Sequence, residues 1–259
     1  MMKTIAIFCV FLMTTTLARA EALVVAAAVS LKDVLTQIAS DRNAAGKGDV
    51  EFVFGSSGQL QQQILNGAPV DVFISAGVKQ VDDLAAAGAI DPTTRRDVIG
   101  NQLALIAPID SKLTAASLAT LDLSLIKKFA IGEPRTVPAG HYASQALKSA
   151  GIESSLADRI ITAANVRQVL NYVERGEVSA GLVYASDAKL SGDKIRRVLM
   201  VDARLHDPIV YPVAVVAKSK HEVEAKAFLD DLMQESAQKR FVDFGFASPH
   251  TTPATQPAR

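Results

Sequence analysis

Short apolar runs alternate with amphipathic stretches along almost the whole chain. Residues 23–28, 50–54, 70–74, 103–107, 129–131, 180–184, 198–201 and 210–217 are brief, often β-branched and bounded by turn residues, which predicts buried strands. Residues 31–42, 59–66, 81–87, 142–150, 166–175 and 223–233 space their apolar positions as helices do, and Gly67, Gly88, Gly151 or Gly176 closes several of them. Alternation of this kind predicts an α/β protein with mainly parallel sheets. No internal sequence repeat is visible.

Two segments read as crossings between halves: Ile99-Gly100-Asn101-Gln102 and the stretch 206–212 around Pro208 and Pro212. If the chain leaves a first lobe at one and returns at the other, residues 21–102 and 213–247 form lobe I, discontinuous in sequence, and residues 103–212 form lobe II. A ligand cleft then lies between them, where strand ends and helix starts meet. The polar, Pro-rich tail 248–259 predicts disorder.

The first residues change the picture of where the protein works. Lys3, the apolar run from Ile5 to Met13 and the small-residue site Ala18-Arg19-Ala20 predict a cleavable secretory signal peptide over residues 1–20. Cys9, the single cysteine, lies inside it, so the mature chain depends on packing rather than on disulfides. No lipid-attachment cysteine follows the apolar run, and the expected destination is the periplasm. Lys and Arg together number 27, as do Asp and Glu, with no basic cluster of the kind that nucleic acid needs.

Four segments far apart in sequence end in small or polar residues where a helix is predicted to start. They are Ala27-Ala28-Val29-Ser30, Phe54-Gly55-Ser56-Ser57-Gly58, Val137-Pro138-Ala139-Gly140 and Ala164-Asn165-Val166-Arg167. Helix N-termini leave N–H groups unpaired and carry partial positive charge, so several converging ones hold an oxyanion without Lys or Arg. Ser30 precedes Asp33 at a capping-box spacing, Asn165 is placed to cap the helix from Val166, and Tyr184 at a strand end offers a neutral hydroxyl.

Catalytic alternatives fit less well. Gly55-Ser56-Ser57-Gly58 lacks one residue of the G-x-S-x-G elbow, and His141, His206, His221 and His250 form no triad pattern. A secreted hydrolase would have to use Ser57 or Ser30 with His141. No His-x-x-x-His pair or mature cysteine suggests a metal site.

Together these residues resemble the periplasmic molybdate-binding proteins of ABC import systems. The resemblance runs from Leu23 to about Phe246. It includes Ala28-Val29-Ser30-Leu31, Gly55-Ser56-Ser57-Gly58-Gln59-Leu60, Gly67-Ala68-Pro69-Val70-Asp71, Gly132-Glu133-Pro134, Val137-Pro138-Ala139-Gly140-His141-Tyr142, Val166-Arg167, Gly181-Leu182-Val183-Tyr184 and Tyr211-Pro212. The departure is Val29, where many relatives have alanine.

The resemblance implies a two-lobed periplasmic binding-protein fold of type II. The ligand, molybdate or tungstate, would be held through its oxygens by Ser30, Ser57, Ala139, Val166 and Tyr184, without direct metal coordination, catalytic residue or cofactor. It also implies a monomer that works with a membrane permease and its ATPase. A sulfate or other small-oxyanion receptor of the same fold is the alternative within that class. A regulatory domain related to such receptors is disfavoured by the leader and by the lack of a helix-turn-helix segment.

Overall fold

The computed structural model describes residues 22–249. The expected leader 1–20, with Cys9, and residues 250–259 of the expected tail lie outside the described residues.

The chain lays down β1 (Leu23–Ala28), a 3-10 turn (Val29–Leu31), α1 (Lys32–Ala44), β2 (Val50–Gly55), α2 (Ser57–Leu65), β3 (Val72–Ile74), α3 (Val78–Ala86) and β4 (Arg96–Gly100). It continues with β5 (Leu103–Pro108), β6 (Phe129–Gly132), α4 (Pro138–Ser149), α5 (Glu153–Leu156), β7 (Ile160–Ala163) and α6 (Val166–Glu174). The last elements are β8 (Ala180–Tyr184), α7 (Ala185–Ser191), β9 (Ile195–Met200), β10 (Val210–Val215), α8 (Glu222–Met233) and α9 (Glu235–Asp243).

Two five-stranded sheets result, ordered β2-β1-β3-β10-β4 and β7-β6-β8-β5-β9. Their plans correspond strand for strand. In each, three strands run parallel, one strand arriving from the other sheet (β10 or β5) adds antiparallel to them, and the outer strand (β4 or β9) pairs antiparallel with that one. The expectation of mainly parallel sheets is corrected here, since half of the pairings are antiparallel. The physical cause is the direct step from β4 to β5 and from β9 to β10: each joins the two sheets without the helical crossover that a parallel neighbour requires.

Strands β5 and β8 are almost wholly buried, and Val25, Ala26 and Ala27 of β1 are as well. They are sandwiched on both faces, which explains their continuous apolar runs. Strands β4 and β7 escaped the sequence reading because they are edge strands with exposed or half-buried positions, Arg96, Asp97 and Thr162 among them. Helices α7 and α9 were also missed. One large apolar core joins Val25 and Val213 of the first sheet and Leu35 of α1 to Leu105, Phe129 and Leu182 of the second sheet, while Leu60, Phe73, Val81 and Leu84 fill the far face of the first sheet.

The first turn of α4 rests directly on the end of β6. A Cβ placed on Gly140 would stand 2.0 Å from the carbonyl oxygen of Gly132. Gly140→Ala therefore has to lift the helix start away from the sheet, and overpacking of this kind costs roughly 1–3 kcal/mol. Urea denaturation of the two proteins is the measurement, and equal midpoints would contradict the close approach.

Candidate functional site

In both sheets the three parallel strands point their C-terminal ends at the same small space. Ala28 ends β1, with Val29 and Ser30 after it; Gly55 ends β2, with Ser56 and Ser57 after it; Ala76 follows β3. From the second sheet come Val137, Pro138 and Ala139 after β6, Asn165 and Val166 after β7, and Tyr184 at the end of β8. The cavity between them is small, about 10 Å³, far below the 300–1,000 Å³ typical of drug-sized pockets.

All five residues expected at the site, Ser30, Ser57, Ala139, Val166 and Tyr184, line this one pocket. Each is at most 3 % exposed. No Lys, Arg or His is among the lining residues. Helices α2 and α4 start without a side-chain cap, so their first N–H groups are not consumed by their own sequence. Pro138 at the start of α4 has no N–H to leave unpaired and fixes φ for the first turn, which presents the amide of Ala139. In α6, Asn165 is a cap as expected: its side chain accepts from the Gln168 N–H at 3.0 Å, which leaves the Val166 N–H at the front.

The hydroxyl groups have definite partners. Ser57 Oγ accepts from the Ala76 N–H at 3.0 Å. Tyr184 Oη donates to the Ala76 carbonyl at 3.4 Å. Burial raises the Tyr184 phenol well above its ordinary value of 10.0, so it stays protonated and remains a donor. Ser30 does not make the capping box expected with Asp33. Its hydroxyl instead meets Tyr211 Oη at 3.2 Å, and Asp33 turns to a cation.

That cation is Arg167, one residue beyond Val166. Its Nη2 lies 2.8 Å from Asp33 Oδ2 and donates to the Ser30 carbonyl at 3.2 Å, while Nε lies 2.5 Å from Asp187 Oδ1. Arg167 and Asp187 belong to the helices of the second sheet, Ser30 and Asp33 to those of the first. The guanidinium thus ties the two halves together behind the pocket, with its charge spent on two carboxylates. A second tie is the Gly58 N–H, which donates to the Thr136 carbonyl at 2.9 Å.

Sequence reasoning missed this clasp, because Arg167 and Ser30 are 137 positions apart. It also gave no role of their own to Ala76 and to Ser56, whose buried Oγ has no hydrogen-bond partner among the described residues. The repeated serine after Gly55 was the available signal.

Histidine is not brought to either serine among the described residues. His141 is exposed and faces Gln145 at 3.2 Å, so the pair that a hydrolase would need is not assembled. Nor do the described residues hold a cluster of three or more His, Cys, Asp or Glu that could bind a metal ion.

With this geometry in hand, relatives are informative. Residues 23–247 match the family described as bacterial extracellular solute-binding protein. The chain belongs to that family. This solute-binding protein is 38% identical over 230 residues to the molybdate-binding protein ModA of Escherichia coli, covering 85% of this chain and 86% of the relative. It is 35% identical over 226 residues to the molybdate-binding protein ModA of Haemophilus influenzae, covering 86% and 88%. Among solved structures, the periplasmic molybdate-binding protein of Azotobacter vinelandii superposes with a TM-score of 0.80 at 25% identity, covering 88% of this chain and all of the other. The α/β, two-lobed architecture is that of these binding proteins.

Asp187 gives this solute-binding protein a pH signature. It is fully buried, and burial raises its carboxyl to about 6 from an ordinary 3.8, with Arg167 pulling in the opposite direction. The folded form therefore holds that proton more tightly than the unfolded chain. The resulting stabilisation is fully present below pH 3.8 and is lost as pH rises through about 6. In thermal melts between pH 4 and 8, the Tm of the wild type relative to Asp187→Asn should fall across that window. A pH-independent difference would refute the assignment.

Proposed function

We propose that this protein captures molybdate, and tungstate with it, in the periplasm after removal of a leader spanning residues 1–20. It delivers the oxyanion as a monomer to an ABC permease whose ATPase drives import. The observation that carries this reading is the convergence of four helix starts and four hydroxyl side chains on a buried space with no cationic lining residue. The relatives whose names specify molybdate point the same way.

In this reading the ligand shell is Ser30 and Ser57, through hydroxyl and backbone N–H, the N–H groups of Ala139 and Val166, and the Tyr184 hydroxyl. The doubly charged ion is neutralised by no counter-ion. Its charge is spread over oriented dipoles at helix ends, whose hydrogen bonds to an ion are stronger than those between neutral groups. Molybdenum enters as the centre of an oxyanion and touches no protein atom directly. The protein supplies no catalytic residue and needs no cofactor.

The lobes divide at the two crossings, residues 22–102 with 210–247 on one side and 103–209 on the other; the expected boundary after residue 212 moves back because Val210 and Tyr211 already pair with Gly100 and Ile99. Hinge motion at those crossings opens the cleft, and the Arg167 and Gly58 ties close it over the ligand.

Isothermal titration of chelator-washed protein tests the reading. Tight one-to-one binding of molybdate and tungstate is expected, with sulfate and phosphate far weaker. A preference for sulfate would move the protein to the sulfate-receptor alternative. Ser57→Ala should weaken molybdate binding by roughly 1–3 kcal/mol, because a ligand oxygen loses its donor. Unchanged affinity would remove Ser57 from the shell.

Gly58 offers a separate check on closure. A Cβ there would stand 2.6 Å from the Thr136 carbonyl oxygen, across the junction between the halves. Molybdate-saturated Gly58→Ala should give a larger radius of gyration in small-angle scattering than the saturated wild type. Identical scattering would mean that this junction does not limit closure.

A further inference from the structure

Behind Ser30 lies a chain of hydrogen bonds whose first links have a direction fixed by chemistry. It starts at Asn101, on the step between β4 and β5. The side-chain oxygen of Asn101 accepts from the Gln102 N–H at 2.9 Å, which sets which way the amide faces. Its Nδ2 is therefore the end turned to two hydroxyls, Ser186 Oγ at 2.9 Å and Tyr211 Oη at 3.2 Å. An amide N–H can only donate, so the Tyr211 oxygen is an acceptor at this contact.

Tyr211 has one proton to place, and its oxygen lies 3.2 Å from Ser30 Oγ. Directed there, it makes Ser30 the acceptor and leaves the Ser30 proton for the pocket. Asn101, Ser186, Tyr211 and Ser30 are each less than a tenth exposed, which shields the chain from competing solvent. Burial also drives the Tyr211 phenol far above its ordinary range, so the proton that the chain needs stays in place.

We infer that Asn101 and Tyr211 are positioning residues that lock the Ser30 hydroxyl as a donor toward the pocket, and so select an oxyanion without a proton of its own. The inference rests on the oxyanion-capture reading above. Ser57 reaches the same polarity by a shorter route, because the Ala76 N–H already donates to its oxygen. Backbone N–H groups cannot accept at all. With both serines turned the same way, neither offers an acceptor to the O–H of hydrogen phosphate, whereas both donate to molybdate.

The chain also explains why a site residue on the first sheet is tied to Ser186 on α7 of the second. Asn101 stands at the step where the strand leaves one sheet for the other and holds hydroxyls from both. The orientation of Ser30 is thereby set by the relation of the two halves.

Two substitutions test this, with molybdate and inorganic phosphate as the probes in titrations of the full mature chain. Tyr211→Phe removes the donor to Ser30 and lets that hydroxyl turn. Its ratio of molybdate to phosphate affinity should fall by about tenfold or more, while the melting transition stays cooperative. In a Ser30→Ala background, Tyr211→Phe should change that ratio by less than about twofold, since the group it orients is gone.

Asn101→Asp reverses the chain. Its carboxylate accepts from Tyr211, Tyr211 accepts from Ser30, and Ser30 then faces the pocket with a lone pair. The same ratio should fall again, and this variant decides the matter if Tyr211→Phe fails to fold. Equal weakening of both anions, or an undiminished effect of Tyr211→Phe without the Ser30 hydroxyl, would show a packing role and overturn the inference alone. A wild type that takes up no molybdate would overturn the capture reading and this inference with it.

Discussion

The structure depends on where backbone N–H groups are left unpaired. A helix start that caps itself has no donor to offer a ligand, and one that does not has to be shielded and given another partner. Here α2 and α4 begin without side-chain caps, and α6 spends its Asn165 cap on the Gln168 N–H only. These starts are tolerable because they face one another across a shared space. Bringing them together requires two sheets whose parallel strands end at the same place, which accounts for the matching strand order and for the steps at β4 to β5 and β9 to β10.

Small residues make that convergence sterically feasible. Gly140 lets α4 press on the end of β6, and Gly58 lets the start of α2 meet the Thr136 carbonyl. The run Ala26-Ala27-Ala28 keeps β1 slim where it ends. Against this neutral wall, a nearby cation is handled with care. Arg167 is paired to Asp33 and Asp187, so it contributes cohesion between the halves without leaving an unbalanced charge beside the pocket. Asp187 is fully buried and carries the desolvation cost of that arrangement, which is why its proton affinity rises despite the guanidinium.

Much of this was legible in the sequence, and the reasons are local. Strands such as β1, β5 and β8 are buried on both faces, so their apolar runs stand out. The pocket-lining segments announce themselves because donor-rich helix starts favour Gly, Ser, Pro and Asn, a composition that a single stretch of chain displays. Edge strands β4 and β7 were hidden by their half-exposed positions, and the antiparallel pairs were hidden because pairing direction follows from where the chain crosses, not from hydropathy. The partnership of Ser30 with Tyr211 was invisible for the same reason as the Arg167 clasp. Each joins residues more than a hundred positions apart.

This division of visibility follows from how the site works. Donors supplied by the backbone need only a permissive local sequence, so pattern reveals them. A hydroxyl can donate or accept, and its role is decided by what stands behind it. Ser57 is settled by a backbone N–H from the end of β3, whereas Ser30 is settled by a tyrosine on β10 and an asparagine at the crossing. The polarity of a binding site built from neutral groups is thus a property of the assembled fold. A donor inventory taken from the pocket lining alone would contain the right serines without stating which way their protons point.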